Sequence, residues 1–359
     1  IMRPISPHPA TEPSDADLLR AGRSDPSAFG RFYRENAERL YLWCLRQTGD
    51  PQTATDVTAE AFAAASGHTV CATEDEVLDG CDAVYVCTWT SEHPRQVAQA
   101  AERGIHVFCE KPLGTSLAAA TSMTETVERA GIVNMVGLVL RRSPAFVLAQ
   151  SLIADERAGP VMSVVVRDDQ YIPIQGHYGS TWRADRALVG AGTLLEHSIH
   201  DVDLLRFLVG DIDTVATFTA NHHGYDGVED VATATIRFTG GALGTLTSVW
   251  HDNLARPSLR RIEVLCATRQ VVVTGDDWYG PVTWTDSDGT TGRLEGTQLV
   301  AAAAPLLAER GVNADVEFVR AVIDGRAVQP DFATALASHR VVDAMYASAG
   351  TGALARVPG

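Results

Sequence analysis

The chain has 359 residues, 45% hydrophobic and 21% charged, which is enough for two domains and a sizeable core. Its formal net charge of −16 argues against a nucleic-acid or anionic-membrane binder, and no apolar run approaches membrane-spanning length. No secretory signal opens it. Cys44, Cys71, Cys81, Cys87, Cys109 and Cys266 have neither metal nor redox spacing, so they read as buried thiols of a cytoplasmic protein.

Residues 1–13 are Pro-rich and carry no periodic pattern. Ser14 and Asp15 can cap a short helix over 17–21. Asp25-Pro26 opens a second helix, with Pro at its first position, and Phe29, Phe32, Tyr33, Ala37, Leu40, Tyr41 and Cys44 line one face. Gly49-Asp50-Pro51 ends it and starts a third helix running to Ala65.

The motifs Asp17-Leu18-Leu19, Asp25-Pro26-Ser27-Ala28-Phe29, Thr48-Gly49-Asp50-Pro51 and Asp56-Val57-Thr58-Ala59-Glu60-Ala61-Phe62 resemble region 2 of extracytoplasmic-function sigma factors. That resemblance covers 14–65 and implies RNA polymerase as a partner of this segment. It stops short of the part that reads promoter DNA. Residues 1–65 have seven Arg against nine Asp+Glu, so this part lacks a basic balance.

From Ser66 the pattern changes. Strands are predicted at 69–72, 83–87, 105–109 and 132–136, and helices at 74–78, 93–103 and 116–130. Alternation at this spacing implies a parallel sheet with right-handed crossovers. Beyond Arg141, strands at 161–167, 214–220, 232–238, 244–250, 261–265 and 270–274 imply an open, mostly antiparallel sheet. A helix over 192–208 falls between the first two, and further helices at 313–323 and 332–347. The fold class is α/β plus α+β with an N-terminal helical segment. The parts are 1–65, 66–139 and 140–359.

Lys111 is the only lysine; every other basic residue among the 29 Lys+Arg is arginine. An ammonium is a compact charge that can lose its proton, whereas a guanidinium stays charged. Lys111 follows the apolar run His106-Val107-Phe108, in Cys109-Glu110-Lys111-Pro112. It therefore sits at the C-terminal edge of a parallel sheet, where open α/β sheets bind ligands.

A second cluster lies on the helix read over 194–208. Glu196, His200 and Asp203 are spaced i, i+4 and i+7 and would share one face. A carboxylate one turn from an imidazole orients it and raises its basicity, which suits acid–base chemistry. A solvated acidic face is the alternative. A metal site is another, because His197, His200 and Asp203 have ligand-like spacing, though His197 lies about 60° off the line of His200 on a helical wheel. Acid–base chemistry is the reading adopted, with no metal.

Together these motifs resemble the Gfo/Idh/MocA oxidoreductases, from about Gly67 to the C-terminus. Thr88-Trp89-Thr90-Ser91-Glu92-His93 stands where that family has Thr-Pro-Asn-x-x-His beside its cofactor. Glu110-Lys111-Pro112 matches its lysine motif. Gly190-Ala191-Gly192 and Glu196 to Asp203 match its glycine turn and catalytic helix, with Glu196 replacing the more common Asp. The resemblance implies NAD or NADP as cofactor and a sugar or cyclic polyol as substrate. It implies a homo-oligomer formed through the C-terminal sheet. Lys111, His200 and Glu196 are then expected to be catalytic. Thr88, Thr90, His93, Glu110 and Lys111 are expected at the cofactor, and Asp203, Arg141, Trp182 and Arg183 at the substrate.

One departure stands out. The family's first βαβ unit, with its G-x-G-x-x-G phosphate turn, is missing here, and the sigma-like segment occupies its place. Gly190-x-Gly192 and Gly350-x-Gly352-x-x-Ala355 lack the βαβ context that turn needs. The expectation is a chimaera whose cofactor binding is impaired. Its alternatives are a polymerase-docking or sugar-sensing regulator, or a chimaeric product without function.

Overall fold

Where strand and helix alternate in sequence, they alternate in space. The computed structural model describes residues 14–22, positions 28, 31–33, 36, 40, 43, 44, 46, 47, 58 and 61, and residues 70–359 except 176–178, 254, 309, 310 and 312. The chain divides into two compact units, Ile1–Gly80 and Cys81–Gly359. In the first unit, α1 (Asp15–Gly22) and α2 (Glu74–Leu78) are described. The predicted helices beyond Asp25 lie largely outside the described residues. The strand expected from 69 does not form over 70–72, which precede the α2 cap Thr73 as irregular backbone.

The second unit opens with a small parallel sheet. Its strands are β1 (Ala83–Val86), β2 (His106–Cys109) and β3 (Asn134–Val136), paired in that order. Between them run α3 (His93–Glu102) and α4 (Leu117–Ala130). Ser116 caps α4 by accepting from the Ala119 N–H, and Gly131 ends it at φ +65°, the left-handed conformation that glycine adopts without a Cβ clash. Phe108 and Met135 pack against Phe318, and Tyr85 stacks on Phe108 at 4.9 Å.

After α5 (Pro144–Ala154) the chain builds a nine-stranded sheet. Its strands are β4 (Val161–Tyr171), β5 (Ile212–Ala220), β6 (Val231–Phe238), β7 (Leu243–His251), β8 (Leu259–Cys266), β9 (Arg269–Asp276), β10 (Gly280–Asp286), β11 (Thr291–Leu294) and β12 (Ala355–Arg356). Their order is β11-β10-β9-β8-β4-β7-β6-β5-β12, and β4–β7 is a parallel pair within an otherwise antiparallel sheet. Burial alternates along β6, β7 and β8, so one face is core and the other faces outward. Three short helices, α6 (Arg186–Val189), α7 (Thr193–Glu196) and α8 (Ile199–Leu208), lead from β4 to β5. The chain closes through α9 (Gly296–Leu307), α10 (Ala314–Asp324) and α11 (Phe332–Thr351). Leu194, Ile199, Val202 and Leu205 meet Val164, Leu246 and Ile262 of the sheet and Val341 and Met345 of α11 in one core.

Two expectations need correction. The helix read over 192–208 is broken: α7 ends at Glu196 and α8 starts at Ile199. The cause is tertiary. Buried Ser248 on β7 contacts Thr193 Oγ1 at 2.7 Å and Ser198 Oγ at 2.6 Å, and both the His197 and Ser198 N–H groups fold back onto the Thr193 carbonyl. The cysteines are not all buried either, since Cys81 and Cys87 are exposed. No helix of the described residues is long and apolar enough to cross a membrane.

Candidate active site

Two loops at the C-terminal edge of the small sheet are pinned together by one imidazole. Buried His93 sits 3.2 Å from the Thr88 carbonyl through Nε2, and 3.1 and 3.3 Å from the Pro112 and Leu113 carbonyls through Nδ1. His93 thus ties the turn after β1 to the turn carrying Lys111. On the other side of that turn, the Leu113 N–H donates to His339 Nε2 of α11 at 3.1 Å. Burial pushes His339 down to about 4, so the ring is a neutral acceptor. Glu110 takes the Lys111 N–H at 3.1 Å, and its carboxyl packs so close to Gly137 that a Cβ there would lie 2.8 Å from Oε2. Thr88 bonds Gln96 at 2.6 Å. Thr88, His93, Glu110 and Lys111 therefore converge, while Thr90 is buried in the turn after β1, and His93 and Glu110 act chiefly to hold the lysine turn.

Lys111 reaches α7. Its Nζ donates to the Glu196 carbonyl at 2.6 Å and lies 3.7 Å from the Glu196 carboxylate. Arg183 binds the same carboxylate at 2.8 Å while stacking on Trp182 at 4.4 Å. Burial opposes the charge on Glu196, but Lys111 and Arg183 outweigh it and bring the carboxyl down to about 2. Trp182 itself packs against the small cluster around Ile172 and Trp250.

A glycine turn sets α7. A Cβ on Gly192 would lie 1.8 Å from the Glu229 carbonyl, and one on Gly190 2.6 Å from the Thr115 carbonyl. Only glycine permits that approach. The Glu229 carboxylate then caps α7, accepting from the Gly192 and Leu194 N–H groups at 2.8 and 2.9 Å and from the Tyr346 hydroxyl at 2.8 Å. Glu229 and Tyr346 carry no local sequence signal of this role.

His200 opens α8. Its Nδ1 is buried with no partner among the described residues. Burial, then the Lys111 and Arg260 charges, push this imidazole well below its ordinary value, so it is neutral. The expected Glu196–His200–Asp203 face does not form, because the chain breaks between Glu196 and His200. Asp203 instead takes a bidentate pair from Arg141, both bonds at 2.7 Å, and a 3.2 Å bond from Ser338. Arg141 and Asp203 occupy one another. His197 Nε2 contacts Asp168 at 2.6 Å, and no three His, Cys, Asp or Glu side chains are grouped so that they could hold a metal ion among the described residues.

Beneath His197 lies a charge cluster that the sequence did not reveal. Arg260 on β8 meets Asp168 on β4 at 2.8 Å and Asp201 on α8 at 2.7 Å, and it also bonds Asp277. Asp168 and Arg260 are paired positions across the two strands. The signal that could have found them is a charged residue at the buried register of an alternating strand.

Comparison with known proteins places this arrangement. Residues 48–138 match a family model described as the oxidoreductase family, NAD-binding Rossmann fold, and residues 146–277 match the GFO/IDH/MocA C-terminal domain. The two matches together span more than half of the chain. The first begins inside the segment that resembles sigma factors, and neither is to a sigma factor. The chain is 34% identical over 191 residues to 1,5-anhydro-D-fructose reductase of Ensifer adhaerens, covering 52% of this chain and 55% of that one. It spans about half the length of the curated relatives it matches. An oxidoreductase domain protein from Kribbella flavida superposes with a TM-score of 0.71 at 27% identity, over 84% of this chain and 88% of that one. Levoglucosan dehydrogenase in complex with NADH and levoglucosan shares the fold, with a TM-score of 0.72 at 21% identity, over 84% and 87% of the two chains.

Proposed function

Because this chain belongs to the Gfo/Idh/MocA oxidoreductase family, we propose that it carries the reaction half of an NAD(P)-dependent dehydrogenase acting on a sugar or cyclic polyol hydroxyl. The observation that carries this reading is the Lys111–Glu196 contact, which brings the lysine turn onto the glycine-turn helix with neutral His200 one turn further on. Lys111 presents a fixed cation to the hydroxyl oxygen, His200 takes its proton, the Glu196 carbonyl anchors the lysine, and Arg183 holds the Glu196 carboxylate. The names of the relatives favour a carbohydrate: one is a reductase of an anhydro sugar, another a myo-inositol 2-dehydrogenase.

The residues present fit the nicotinamide end of a cofactor. Ser91 Oγ, in the turn after β1, and His200 Nδ1 are buried without partners among the described residues, as ligand-facing atoms would be. Thr88, Ser91 and Lys111 would hold that end, and the bound cofactor would supply a hydride acceptor. The adenosine end has no glycine-rich phosphate turn in this sequence.

The test is calorimetric and kinetic. The full chain is titrated with NAD and NADP, then assayed at millimolar cofactor with myo-inositol, scyllo-inositol, levoglucosan and glucose. Cofactor reduction with one of these polyols, lost in Lys111→Met, supports the reading. Failure to bind any polyol and to reduce either cofactor overturns it.

A further inference from the structure

The carboxylate support that the sequence leads one to expect at His200 is built instead at His197. Its Nε2–H donates to Asp168 Oδ2 at 2.6 Å, and Asp168 is itself held by Arg260. That bond leaves Nδ1 as the ring's lone-pair nitrogen. His197 Nδ1 has no protein partner among the described residues, and the side chain keeps 18% of its surface exposed. His197 acts electrostatically on both Glu196 and His200. The two histidines share one turn, since the His200 N–H donates to the His197 carbonyl at 3.2 Å.

We infer that His197, braced by Asp168, is a second acid–base residue of this site, the one that keeps the proton released when a hydroxyl is oxidised. The inference rests on the dehydrogenase reading above. His200 is poorly suited to keep a proton. Its buried Nδ1 has no acceptor nearby, and the Lys111 and Arg260 cations oppose a third positive charge. His197 Nε2 sits against the Asp168 carboxylate, with Arg260 Nη2 3.5 Å away. Asp168 on β4, Asp201 on α8 and Asp277 after β9 surround the single Arg260. Burial works against the charge on Asp168, yet Arg260 and His197 outweigh it and hold that carboxyl well below the usual range. Burial pushes Asp201 up, and a hydrogen bond from its protonated form to Asp168 adds to the rise. Burial pushes Asp277 up as well, which leaves Asp168 as the carboxylate held ionised beside His197. The remaining charges near the two rings are the Glu196 carboxylate with its partners Lys111 and Arg183.

The step balances as a proton transfer coupled to oxidation. The C–H pair leaves as hydride for an oxidised nicotinamide dinucleotide, the oxidant this reading requires. The O–H bond breaks and His200 takes the proton. Through a substrate or water hydroxyl, that N–H bond is exchanged for one at His197 Nδ1.

Two measurements on the full chain test this. The first needs no cofactor. In histidine-selective 15N NMR, neutral His197 should be the Nε2–H tautomer, and Asp168→Asn should move its protonation curve to lower pH while His200 remains neutral. An Nδ1–H tautomer, or a curve indifferent to Asp168→Asn, overturns the inference. The second is kinetic, for the case that Asp168→Asn does not fold. His197→Gln should lower kcat by about 10²-fold, the usual scale for an acid–base group, with little change in KM, and should remove one limb of the pH profile. An unaltered profile with normal kcat overturns the inference, as does a change in KM alone. If the native chain oxidises no polyol, the dehydrogenase reading fails instead, and the NMR result still decides whether His197 and Asp168 form the acid–base pair.

Discussion

Lys111 is closer to the main chain of Glu196 than to its side chain: Nζ lies 2.6 Å from the carbonyl and 3.7 Å from the carboxylate. The lysine is therefore anchored by a group that no substitution at 196 removes. Replacing Glu196 with Gln should leave Lys111 in place yet strip the charge it shares with Arg183. Glu196→Ala should cost about 3–5 kcal/mol, because it leaves Lys111 and Arg183 facing a buried site with neither the charge nor a side-chain acceptor, whereas Gln keeps an acceptor oxygen. Denaturant unfolding of both variants checks this; Glu196→Gln should fall well short of the alanine loss while turnover drops in both.

His339 makes stability depend on pH. Its folded value is about 4, below the ordinary 6.5, so folding favours the neutral ring. The contribution is complete above 6.5 and is lost as pH falls from there toward 4. The shift corresponds to about 3 kcal/mol. His339→Gln keeps an acceptor for the Leu113 N–H but cannot titrate. The gap in unfolding free energy between native chain and variant should therefore shift against the native chain by about that amount between roughly pH 7 and pH 4.

Gly192 tolerates no side chain. A Cβ would sit 1.8 Å from the Glu229 carbonyl, so Gly192→Ala must displace either β6's entry or the start of α7. Overpacking of this kind typically costs about 1–3 kcal/mol, and more where backbone is the obstacle. Thermal unfolding should register the loss, and polyol binding should weaken with it because Glu196 follows on the same helix.

Arg141→Lys tests the buried clamp on Asp203. A lysine keeps the charge but cannot make two parallel bonds to a carboxylate. The variant should lose about 1–3 kcal/mol of stability, with substrate affinity changing less than it does in Arg183→Lys, whose parent residue touches Glu196.

Local signals carried much of this molecule. Ser116 and Gly131 bracket their helix as the sequence predicts, and Lys111 stands at the strand end where Glu-Lys-Pro placed it. What escaped was set by distance. Asp168 and Arg260 are 92 residues apart and meet only because β4 and β8 pair. The break after Glu196 is imposed by Ser248, 50 residues beyond Ser198. Helix α5 was missed for another reason: Pro144 to Ala149 are all buried, so no polar face marks a period.

The lone lysine has a chemical consequence. Every side-chain amine this protein owns is one group, partly sheltered and anchored to Glu196. Within this sequence, acylation, carbamylation or glycation of a lysine side chain falls on Lys111, in the candidate site. On the proposed function, such a modification inactivates, and its rate reports how fully a ligand shields that site.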